Sequence, residues 1–185
     1  MYYSEIDVGT YRRTMLQIAA GLAGAGQAPA TARQPAATGR PGDFDFLTGH
    51  WTIKNRRLRD GAWDSFDGEA SVIGILDGIA SVEELRIPSR DFSGMGLRLL
   101  DTNTRLWADY WVGGKGLDVN PAPSWGSFAD GVGIWDAHER EGGKDVTVRG
   151  VWDQITPTSC RWRQAVSRDE GRTWEENWIM HFERA

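Results

Sequence analysis

A single cysteine, Cys160, stands in 185 residues, so the chain forms no internal disulfide, no multi-cysteine metal site and no dithiol redox couple. Basic residues are also short: 21 Lys plus Arg against 26 Asp plus Glu leave a formal charge of -5. That is the wrong sign for a broad phosphate-neutralising surface, and nucleic acid is set aside as a partner. No apolar run approaches the roughly 20 residues that span a bilayer as a helix, and no integral membrane segment is expected. The three histidines, His50, His138 and His181, are far apart and lack His-x-x-x-His spacing, so neither a metal nor a cofactor is expected. There is no Gly-x-Ser-x-Gly elbow, and Gly94-Met95-Gly96 is too short for a phosphate-binding loop. What the chain has in excess is tryptophan, ten residues, together with 23 glycines. Such a composition suits many short strands joined by tight turns, with aromatic side chains filling or lining an enclosed space. At this length, 40% hydrophobic residues are enough for one domain with one core.

Residues 1–40 read differently from the rest, with nine alanines, no tryptophan, and four arginines against Glu5 and Asp7. Tyr11-Arg12-Arg13-Thr14-Met15-Leu16 precedes a mildly apolar run of about a dozen residues and the small-residue exits Ala28-Pro29-Ala30 and Ala30-Thr31-Ala32. This resembles a twin-arginine export signal, and the alternative is a leader in a cytoplasmic protein, either disordered or packed as a short amphipathic helix. The domain boundary is placed near Pro41-Gly42, leaving 41–185 as a single barrel domain.

From Phe44 onward the periodicity is mostly two, the signature of strands. About ten are expected, at 49–58, 63–76, 79–87, 95–100, 106–112, 124–128, 132–139, 146–154, 159–167 and 173–183. Turn sequences such as Asp60-Gly61, Asp130-Gly131 and Gly142-Gly143 separate them. Short links between successive strands favour an antiparallel up-and-down meander, and closure into a β-barrel removes its edges. On the first strand Trp51 and Ile53 share a face with Asn55 and Arg57, so those two polar residues should project inward.

Phe44-Asp45-Phe46-Leu47-Thr48-Gly49-His50-Trp51, with Asn55-Arg56-Arg57-Leu58, resembles the opening of an uncharacterised bacterial lipocalin-like, calycin-type family with a Phe-Asp-Phe-Leu-x-Gly-x-Trp signature. Similarity extends through Leu106-Trp107-Ala108-Asp109-Tyr110-Trp111, Ile155-Thr156-Pro157 and Trp174-Glu175-Glu176-Asn177-Trp178. The resemblance implies an up-and-down barrel whose Gly-x-Trp, here Gly49-His50-Trp51, plugs one end; it implies no activity and no catalytic residues. Ser167-Arg168-Asp169-Glu170-Gly171-Arg172-Thr173-Trp174 fits the aspartate box of sialidases and other propellers. Those folds use several copies at blade spacing, so one copy marks a hairpin.

Chemistry is expected from polar residues set among apolar ones on inward faces. Asp109 lies between Trp107 and Trp111, Gln164 between Trp162 and Val166, and Glu176 between Trp174 and Trp178. With Asn55, Arg57 and Glu83 they would place a few polar groups between walls built by Trp107, Trp111, Trp152 and Trp178, the usual make-up of a small-molecule site. The competing assignment is an internal ion pair of Arg57 with Asp109 or Glu176 that only closes the barrel. A carboxylate at Asp109, Glu83 or Glu176 in an apolar cavity could act as general acid or base. Two functions therefore compete: binding of a small hydrophobic molecule, oriented through Arg57 or its neighbours, and cofactor-independent cyclisation or isomerisation of such a molecule. A scaffold barrel that docks a protein would need an exposed apolar patch. Oligomeric state is left open.

Overall fold

The computed structural model describes residues 37–116 and 122–185. The proposed export signal falls on residues outside the described ones. From Thr38 the chain already engages the barrel: its hydroxyl donates to the Phe128 carbonyl, and the Gly39 amide donates to the Arg105 carbonyl.

Ten strands follow among the described residues: β1 (Gly49–Arg59), β2 (Ala62–Ile75), β3 (Ala80–Ile87), β4 (Phe92–Asp101), β5 (Leu106–Gly113), β6 (Ser124–Ala129), β7 (Val132–Glu141), β8 (Lys144–Asp153), β9 (Ser159–Ser167) and β10 (Glu175–Arg184). Each pairs antiparallel with its neighbours in sequence, and β10 pairs with β1, with Ile53 opposite Phe182 and Arg57 opposite Trp178, to close the barrel. The expected strands agree with these to within about three residues at each end. The hairpin signals work through backbone sign: Asp60-Gly61, Asp130-Gly131 and Gly142-Gly143 all have positive φ at both positions, the twist that matches a tight hairpin to its strands. Glu170-Gly171 does the same. There Asp169 accepts from the Thr173 amide and hydroxyl, which holds its carboxyl down at about 2. The single aspartate box is a hairpin brace.

One end of the barrel is shut by a 3-10 turn, Asp45–Leu47. Phe44 is buried edge-on against Trp107 and Phe128, with centroids at 4.9 and 5.2 Å, and Phe46 packs on Phe128 and Trp152. Trp51 is 1% exposed, and its indole nitrogen donates to the Leu47 carbonyl at 2.7 Å. Arg184, from the last strand, stacks over the Trp51 ring at 4.3 Å and donates to the carbonyls of Phe46, Thr48 and Pro157. The plug is thus fastened to both ends of the strand order.

The β4 strand is turned inside out relative to its apolar pattern. Met95 and Leu99 are exposed, whereas Gly94, Gly96, Arg98 and Leu100 are the buried set. The cause lies in the adjoining strands. A Cβ on Gly94 would stand 2.3 Å from the Trp111 ring, and one on Gly96 would stand 3.2 Å from a Glu83 carboxylate oxygen. Those glycines provide the room in which Trp111 and Glu83 lie. With Ile73 and Ile75 on β2 also exposed, the outer face of β2 to β4 carries the aliphatic residues that the interior does not take.

Candidate functional site

Above the plug the barrel encloses a cavity of about 120 Å³, close to the roughly 150 Å³ of an apolar cavity that takes up benzene. Among the described residues five tryptophans wall it, Trp111, Trp135, Trp152, Trp162 and Trp178, and five charged residues reach it: Arg57, Arg98, Glu83, Asp109 and Glu139. The strands explain the mixture. Inward positions alternate along β5 (Asp109, Trp111), β8 (Gly150, Trp152) and β9 (Trp162, Gln164), and Gly150 makes room for Trp162, whose indole nitrogen would be 3.2 Å from a Cβ there.

Arg98 forms the floor. It is 4% exposed, and its Nη2 donates to Glu83, which is 3% exposed, in a very short contact. Its Nε lies 3.9 Å from an Asp109 oxygen, a charge contact too long for a hydrogen bond. The guanidinium also sits over the rings of Phe44 and Trp152, 5.1 and 5.5 Å from their centroids. Burial opposes its charge, but Glu83 and Asp109 outweigh that and hold its pKa above the ordinary arginine value. Among the described residues neither Nε nor Nη1 finds a hydrogen-bond acceptor.

Arg57 stands six residues from Trp51 along β1, about 20 Å toward the other end of the barrel. It is 8% exposed and stacks over Trp178 at 4.6 Å. Gln164 lines the cavity and donates to Asn177.

Of the residues expected from sequence, Arg57, Glu83, Asp109, Trp111, Trp152, Gln164 and Trp178 meet at this cavity. Three do not. Asn55 points inward but is sealed in the wall at 1% exposure, its carbonyl accepting from the Trp178 indole. Trp107 is spent on the plug: its ring packs on Phe44 and its indole donates to Asp43. Glu176 is on the outer surface, because a bulge between Glu176 and Trp178 breaks the alternation. There it pairs with Arg163, which also bonds Asp153 together with Arg161, and Trp174 lies beneath Arg149 at 4.0 Å. An ion pair of Arg57 with Glu176 is excluded by the same bulge.

Sequence reasoning missed Trp135, Glu139 and Trp162 as cavity residues, and it missed Arg98, the most buried cation among the described residues. For Arg98 the signal was present as Gly94-x-Gly96-x-Arg98, a parity of small residues beside the tryptophans of β5.

Cys160 is inert by environment. Burial, and then the nearby Glu83 charge, push its thiol up to about 12. Native protein at pH 8 is therefore expected to resist iodoacetamide and to take up one equivalent after unfolding in urea; rapid native labelling would show that the β9 wall opens.

No family model matches the chain, and no curated protein sequence matches it. Several solved structures are similar in fold. A redesigned beta barrel, b11L5F_LGL, aligns at 12% identity over 80% of this chain and 99% of its own, with a TM-score of 0.41. Rv2717c from M. tuberculosis aligns at 10% identity over 77% and 94%, with a TM-score of 0.49. The S-type phycobiliprotein lyase CPES from Guillardia theta aligns at 12% identity over 77% and 90%, with a TM-score of 0.48. The architecture is that of a closed, ten-stranded, antiparallel up-and-down β-barrel. It rests on the closed strand pairing described above, and likenesses at these identities are of fold alone.

Proposed function

We propose that the protein binds a small, largely apolar molecule inside the barrel, with a polar group of that molecule directed at the buried charges. The observation that carries this reading is the cavity itself. Among the described residues, five indoles and a few aliphatic side chains wall a space of about 120 Å³ into which Arg57, Arg98, Glu83, Asp109 and Gln164 also reach, the mixed lining of a recognition site rather than of a solid core. Its size restricts the enclosed part of the ligand to about one ring or a short chain.

A cofactor-independent isomerase or cyclase is the second reading, favoured by Asp109, whose carboxylate reaches the cavity within 3.9 Å of Arg98. Glu83 suits that role less, being engaged by Arg98.

The test begins with native mass spectrometry of the freshly purified protein, followed by tryptophan-fluorescence titration with the molecule it carries. A stoichiometric adduct released by denaturation, which restores the fluorescence change when added back, is expected. Protein that carries nothing, and whose fluorescence no small aromatic or aliphatic probe alters, would overturn the binding reading. Conversion of the carried molecule, reduced about a hundredfold or more by Asp109→Asn with affinity within a few fold, would establish the enzyme reading.

A further inference from the structure

We infer that the cavity takes a guest with a carboxamide or lactam edge, whose carbonyl accepts from the Trp162 indole and whose N–H donates to the Gln164 side-chain oxygen, one layer nearer the mouth than the Arg98 floor. This rests on the reading that the cavity binds a small molecule, and it names the class of that molecule.

The donor is found by accounting for the indoles. Among the described residues the N–H groups of Trp135 and Trp178 are taken, by the Trp107 carbonyl and by the Asn55 side chain. Trp152 is 3% exposed, wedged against Phe46 and Phe182 with the Arg98 guanidinium over its ring. Trp162 differs. It lines the cavity and is only partly buried, and its Nε1 meets no acceptor among the described residues yet is not sealed from solvent, as the unpaired Arg98 nitrogens are. Trp178 meets its ring edge-on, with centroids 5.7 Å apart at 88°. The ring leans toward β8, where Nε1 lies 3.2 Å from the point that a Cβ would take on Gly150. The missing side chain is what leaves the N–H uncovered.

Gln164 supplies the acceptor. It is the register partner of Gly150, and the Cβ positions of such partners stand about 4.5 to 5.5 Å apart, so the Trp162 N–H and the Gln164 carboxamide share one layer of the barrel. Gln164 Nε2 donates to Asn177, in the β10 bulge, at 3.0 Å. That bond orients the amide and leaves Oε1 without a donor among the described residues, again on an atom that is not sealed. A donor and an acceptor in one layer match a group that carries the complementary pair side by side, a C=O next to an N–H. An amide held there makes two hydrogen bonds, a ketone one and a hydrocarbon none, and the rest of the guest is left among the indoles. Both β9 groups are uncharged, so the choice is made by hydrogen bonding.

The experiment uses the full-length protein and three probes of one size, benzamide, acetophenone and ethylbenzene, each titrated by tryptophan fluorescence at pH 7.5. Affinity is expected to fall in that order by about three- to tenfold at each step, one net hydrogen bond per step. Trp162→Phe keeps an aromatic ring and removes the N–H, and it is expected to bring acetophenone down to the affinity of ethylbenzene. Gln164→Leu is expected to bring benzamide down to the affinity of acetophenone, and ethylbenzene is expected to bind both variants as it binds wild type. In ¹⁵N-labelled protein the indole resonance that Trp162→Phe removes is expected to move downfield with benzamide and acetophenone. Benzamide no tighter than acetophenone, acetophenone no tighter than ethylbenzene, or a Trp162 resonance that neither carbonyl probe moves would overturn the inference and leave the cavity reading standing. If none of the three binds, the cavity reading fails and takes the inference with it. The order of affinities is measured on wild-type protein, so it decides the matter even where a variant does not fold.

Discussion

Trp51→Ala is expected to lower the free energy of unfolding by about 3 to 5 kcal/mol, the range for emptying a buried aromatic site that cannot collapse. Collapse is prevented here because the ring is held from three sides. Leu47 accepts its indole proton, Phe182 stands edge-on at 6.1 Å, and the Arg184 guanidinium covers it at 4.3 Å. Arg184 in turn ties down the carbonyls of Phe46 and Thr48. Loss of the ring therefore loosens the turn that shuts the barrel as well as leaving a void. Equilibrium urea unfolding followed by circular dichroism measures the change, and a midpoint equal to wild type would remove Trp51 from the plug.

Arg98→Met is expected to cost a similar amount, about 3 to 5 kcal/mol, since it leaves the Glu83 carboxylate buried without its cation. Glu83 is 3% exposed, so its charge stays out of bulk water when Arg98 is lost. The double variant Arg98→Met with Glu83→Leu removes both charges and is expected to regain most of that loss, because the desolvation of the pair disappears along with its attraction. A double-mutant cycle of urea unfolding checks this. Additive losses, with the double variant the least stable, would mean that Arg98 and Glu83 act on the fold independently despite their contact.

The strand order and turns were legible because they depend on local signals. Asp-Gly and Gly-Gly pairs at hairpins, and alternation along β1, β5 and β9, carry their meaning within a few residues. The plug was legible only through the resemblance, which placed Gly49-His50-Trp51 at one end of the barrel; the part played there by Phe44 and Phe46 was not read. What was not legible depends on neighbours distant in sequence. Met95, Leu97 and Leu99 form the apolar parity of β4, and burial by parity would turn them inward. Instead Trp111 and Glu83, from the flanking strands, occupy the space over Gly94 and Gly96 and carry Arg98 inside with that face. Glu176 was misplaced by a single bulge at Asn177, which no residue type in Trp174-Glu175-Glu176-Asn177-Trp178 announces.

The fit of Trp111 over Gly94 separates two properties that most binding sites entangle. The Trp111 ring lies in the hollow that the glycine leaves and stacks on Phe92 at 6.1 Å with an 11° tilt, so it sets the bore on the β4–β5 side of the barrel. The buried ion pair of Arg98 and Glu83 lies deeper, on β4 and β3, with the guanidinium over the Phe44 ring of the plug. Calibre and charge are therefore written on different residues. A shorter side chain at position 111 would widen the space on that side and leave the ion pair intact, while an exchange at Arg98 or Glu83 would alter the charge at the floor of an unchanged bore. The same barrel can be re-gauged without being re-addressed.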